Sequence, residues 1–72
     1  VSNWVVVYNS SNLNEVEIVK AVLEDHQIDA VIVNKQDTMH LNLINGATEL
    51  IALHVNSKDA IKAKHLITKH EL

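Results

Sequence analysis

The chain has no cysteine, no proline, no arginine and a single glycine. Without cysteine there is no disulfide scaffold, no thiolate metal site and no cysteine nucleophile. Without arginine, and with a formal net charge of −3, a dedicated nucleic-acid surface is not expected. One Trp and one Tyr are the only aromatic residues. Both fall in the first predicted strand, which is too few for a sheet that stacks RNA bases. No apolar run approaches the length of a membrane-spanning helix, so no membrane partner is expected. No signal peptide is evident, and the expected compartment is the cytoplasm.

What the chain does contain is aliphatic. Val, Ile and Leu supply 25 of its 72 residues, far above the level of a disordered or linker segment. The length suits one small domain, residues 1–72. A domain this small has little margin of burial, and an identical subunit would add to it.

Hydrophobic periodicity divides the chain into five elements. Trp4–Tyr8 (WVVVY) reads as a buried strand. A polar break at Asn9–Asn12 follows, with Ser11 or Asn12 able to cap a helix. That helix is predicted over Leu13–His26, with Glu15 near its positive end. Leu13, Val16, Val19 and Leu23 share its inner face. Ile18 and Val22 widen the apolar stripe to one side, as at an intersubunit boundary. Ala30–Val33 (AVIV) is a second strand and Glu49–Val55 (ELIALHV) a third. Between them, Met39–Thr48 contains a short alternating stretch and Asn45-Gly46, a tight-turn signal. Asn56 or Ser57 caps a second helix, which buries Ala60, Ala63, Leu66 and Ile67.

The order β-α-β-β-α implies an α+β, ferredoxin-like domain. A right-handed crossover makes the first two strands parallel, and the third fills the gap between them antiparallel to both. The sheet is three-stranded, or four-stranded if Met39–Thr48 adds an edge, and both helices cover one face. The strands are apolar on both faces, which asks for cover on both. The reading favoured here is self-association, a homo-oligomer and in the first instance a dimer. Its candidate interface residues are Trp4, Val6, Tyr8, Ile18, Val22 and Ala52. The alternative is that Met39–Thr48 folds back as a lid.

The segment WVVVYNSSNLNEVEIVKAVLEDHQIDAVIVNKQD, Trp4–Asp37, resembles a widespread bacterial family of small domains of unknown function. That family is described as a "putative prokaryotic signal-transducing protein", with a fold related to the nitrogen-regulatory signal proteins. The resemblance rests on the strand ending in Tyr8, the Asn12-Leu13 helix start, Glu17–Leu23 (EIVKAVL), Ile28, Ala30-Val31 and Asn34-Lys35-Gln36-Asp37. HVNSKDAIKAKHLI, His54–Ile67, is similar to the family's closing strand and helix. It implies a ferredoxin-like domain and no catalytic residues. One departure stands out: the family often has Gly just after the first helix, where this chain has Gln27.

Tyr8 and the polar segment Asn34, Lys35, Gln36 and Asp37 are the candidate ligand- or partner-binding residues. The segment offers an amine, a carboxylate and two amides on an expected loop, against which stands ordinary turn chemistry. Tyr8 lies close to a helix N-terminus, a potential anion site, although no glycine-rich loop accompanies it. Five histidines, His26, His40, His54, His65 and His70, raise a metal site. His65 and His70 are about 140° apart around the helix and the others sit on separate elements, so no metal and no cofactor is expected. Lys58, Lys62, His65 and Lys69 form a basic stripe, read as a solvated face. The expected role is a non-catalytic regulatory or signal-transducing domain that binds a protein or small molecule. The alternatives are a structural self-assembly module, and a small enzyme using the Asn34–Asp37 loop.

Overall fold

The computed structural model describes residues 3–35 and 50–70. The expected edge strand, the Asn45-Gly46 turn and the alternative lid at Met39–Thr48, together with Gln36, Asp37 and His40, lie outside these residues. Strand β1 spans Trp4–Ser10, helix α1 Leu13–Asp25, strand β2 Ala30–Asn34 and strand β3 Ile51–Asn56. A 3-10 turn, Ser57–Asp59, leads into helix α2, Ala60–Lys69. The sheet order is β1-β3-β2, with β3 antiparallel to both neighbours. This is the ferredoxin-like α+β arrangement expected from the element order.

Helix α1 begins where a side chain satisfies a free backbone donor, whereas α2 starts after Asp59 with no side-chain cap, the expected Asn56 cap serving the 3-10 turn before it. Of the two candidate caps for α1, Asn12 takes the role: its side-chain oxygen accepts from the Asn14 N–H at 2.8 Å. The buried Ser10 hydroxyl donates to Glu15 Oε1 at 2.7 Å and accepts from the Asn12 N–H at 3.0 Å. These bonds tie the end of β1 to the first turn of α1. At the other end, Asn56 accepts from the Lys58 N–H and caps the 3-10 turn.

Helix α1 ends at Asp25, with His26 as its cap. The Gln27 N–H donates to the Glu24 carbonyl and the Ile28 N–H to the Leu23 carbonyl. This closure requires a left-handed residue between them. Gln27 occupies it at φ 64°. Ile28 and Leu23, both buried, meet beneath the closure.

The core lies between one sheet face and the two helices. Ile51, Leu53 and Val55 of β3 project toward Val16, Val19 and Leu23 of α1 and Ala63 and Leu66 of α2. Leu13, expected on the inner face of α1, is instead exposed at the first turn. Truncating Leu23, fully buried at the centre, would cost about 2–5 kcal/mol.

Strand β1 departs from simple alternation. Val6 pairs with His54 and Tyr8 with Leu53, which leaves Val7 as an extra residue in a bulge. The bulge resets the side-chain parity. Val5, Tyr8 and Ser10 share the helix-facing rows of Val55, Leu53 and Ile51. Tyr8 therefore does not share a face with Trp4 and Val6, as uniform alternation would have it. It packs against the core from the edge.

Candidate functional site

The sheet face turned away from the helices carries Trp4 and Val6 from β1, Ala52 and His54 from β3, and Val31 and Val33 from β2. The register produces this set directly: His54 is flanked by Val6 on one side and Val31 on the other, and Ala52 by Asn9 and Val33. Trp4, Val6, Val31 and Val33 are exposed, Val31 by 46%. Ala52, on the central strand, is buried. Contiguous apolar side chains on a surface mark an interaction site.

Asn9 and Asn56 bring polar groups to the same face, and His54 sits between the apolar residues. His54 Nδ1 is shielded from solvent and has no hydrogen-bond partner among the described residues. A buried polar atom without a partner carries a desolvation penalty until something supplies the missing bond.

A second feature lies on the helix side, between α1 and β1. Tyr8, Glu15, Ile18 and Val19 line an open depression of about 240 Å³. Ile18 is 56% exposed at its rim, and Val22, one turn further along α1, is half-buried. Glu15 already brings a carboxylate to the helix N-terminus, so the anion site considered near Tyr8 holds a negative charge of the chain's own.

The structure separates the remaining candidates. Asn34 is the last residue of β2, paired with Ile51, rather than part of a loop. The Lys35 N–H donates to the Leu50 carbonyl at 2.9 Å, continuing the ladder one step. Tyr8 and Asn34 stand on opposite sides of β3, two strand spacings across and two residues along, about 12 Å apart. They do not form one site with each other.

Two of the five histidines, unrelated by sequence spacing, come together. The rings of His26 and His70, at the C-caps of α1 and α2, pack edge to face with centroids 6.1 Å apart. The Val22 carbonyl lies 2.9 Å from His26 Nδ1. No group of three or more His, Cys, Asp or Glu positioned for a metal occurs among the described residues. None of their helices is long and apolar enough to cross a membrane.

Sequence reasoning did not single out Val31, Val33 and His54 as surface candidates, since only the strand register reveals which residues join Val6. It also passed over Ile61 on α2. A helical wheel places Ile61 away from the buried Ala63 and Leu66, and the structure leaves it 86% exposed.

Residues 4–71 match the family described as "Putative prokaryotic signal transducing protein". No curated protein and no solved structure matches the chain.

Proposed function

The chain belongs to this family of "putative prokaryotic signal transducing" proteins, and from that membership we infer that it is a non-catalytic, cytoplasmic regulatory domain acting by association rather than by turnover. Its working surface is the open sheet face, and the first occupant of that face is a second copy of the chain. The observation that carries this reading is the exposed patch of Trp4, Val6, Val31 and Val33. One further fact supports it: His54 Nδ1, at the centre of the patch, lacks a hydrogen-bond partner among the described residues.

The test is the mass of the full chain in solution. Sedimentation equilibrium of the wild type is expected to show an oligomer at micromolar concentration. Val31→Lys places a charge on the patch without touching the core. It is expected to weaken self-association by about tenfold or more, since an unpaired charge buried in an apolar contact costs well over 1.4 kcal/mol. A wild-type chain that stays monomeric, or a Val31→Lys variant that associates as strongly as wild type, overturns the assignment.

A further inference from the structure

The helix layer carries a second, separate pair of features. Ile61 projects from α2 with 86% of its surface exposed. Its helical neighbours at three and four residues are Lys64 and His65, both exposed, and Lys58 lies three residues before it. Among the described residues neither Lys58 nor Lys64 has an ion-pair partner; the one ion pair there joins Lys20 and Glu24 at 3.2 Å. The result is an exposed aliphatic side chain flanked by Lys58 and Lys64.

The depression between α1 and β1 has the opposite character. Its walls are the aliphatic Ile18 and Val19 and the Tyr8 ring, and its only carboxylate is Glu15. One Glu15 oxygen accepts from Ser10, while no described partner occupies the other. Lys20 of α1 is held by Glu24.

We propose that Ile61 of a second copy of this chain seats in the Tyr8–Glu15–Ile18–Val19 depression, with its flanking lysines meeting the Glu15 carboxylate. Charge complementarity selects this occupant: Ile61 is flanked by lysines, the hollow holds Glu15, and both belong to one sequence. A two-fold pair makes the contact twice and closes; a single contact repeated along an axis builds a chain. The apolar seat supplies affinity, while these charges steer the approach and weaken as salt rises. This contact is independent of the sheet face proposed above.

The experiment uses the full chain, with Ile61→Glu, Ile18→Lys, their combination, and Val31→Lys as the sheet-face control. Both isoleucines are solvent-exposed, so circular dichroism is expected to show folded variants. Sedimentation equilibrium is expected to show each single helix-layer variant weakening self-association by about tenfold or more, the loss for one buried aliphatic side chain. The Ile61→Glu/Ile18→Lys double variant is expected to regain part of that loss through a new ion pair, and to lose the gain in high salt. The proposal is overturned if Ile61→Glu associates as tightly as wild type, if the double variant is merely the sum of the two losses, or if the wild type is monomeric throughout. Association lost with Val31→Lys but untouched by Ile61→Glu leaves the sheet face standing and removes this contact alone.

Discussion

Gln27 shows how one position can be asked for a conformation its residue dislikes. The end of α1 needs a left-handed turn so that the Ile28 N–H can reach the Leu23 carbonyl. A residue with a β-carbon resists that turn by about 1–2 kcal/mol, and glycine does not. The burial of Ile28 against Leu23 holds the strained geometry in place. Gln27→Gly is therefore expected to stabilise the fold by about 1 kcal/mol, after allowing for the greater freedom of glycine in the unfolded chain. In a domain of this size that raises the melting temperature by about 4–8 °C. An unchanged or lower melting temperature would mean that the Gln27 side chain contributes something glycine cannot replace. Gln27→Val should go the other way, because a β-branched residue tolerates positive φ least.

At the scale of the element, the bulge in β1 decides which side chains the strand gives to which face. Reading Trp4–Tyr8 as a uniform strand puts Tyr8 beside Trp4 and Val6. Insertion of Val7 as an unpaired residue moves Tyr8 to the row of Leu53. The consequence can be tested by deletion. Removing Val7 leaves Val5, Val6, Tyr8, Asn9 and Ser10 in strict alternation, with every existing pairing intact. The deletion variant is thus expected to keep the fold and the Tyr8–Leu53 pairing. It should lose about 1–2 kcal/mol, part of the burial of one half-exposed Val. Cross-strand contacts measured by nuclear magnetic resonance would check it, and pairing of Tyr8 with Ala52 in the wild type would show that the strand has no bulge. Helix α1 is simpler. Its inner face of Val16, Val19 and Leu23 was readable from spacing alone, because all three sit within one turn-periodic stripe over the sheet.

For the whole molecule, the two helices cover one face of a sheet whose strands are apolar on both. Val31 and Val33 project away from the core that Ala30 and Ile32 help to build. If association covers this exposed side, folding and association are coupled. The melting temperature of the wild type should then rise with protein concentration. That of Val31→Lys should rise much less. A wild-type melting temperature independent of concentration over a hundredfold range would separate folding from assembly. The sheet-face patch and the Ile61 knob lie on different layers, so each can be silenced without the other.

Element identity and order were legible because they depend on local spacing: β-branched runs at Trp4–Tyr8 and Ala30–Val33, a turn-periodic stripe from Val16 to Leu23, and a polar break before each helix. The parallel relation of β1 and β2, with β3 between them, followed from chain connectivity and handedness. Face assignment was not legible, because a single unpaired residue at Val7 reverses parity and no local pattern marks it. Nor could spacing show that His26 and His70 would meet, or that His54 would lie between Val6 and Val31. Those neighbours come from distant parts of the chain, and only the closed packing of sheet and helices brings them together.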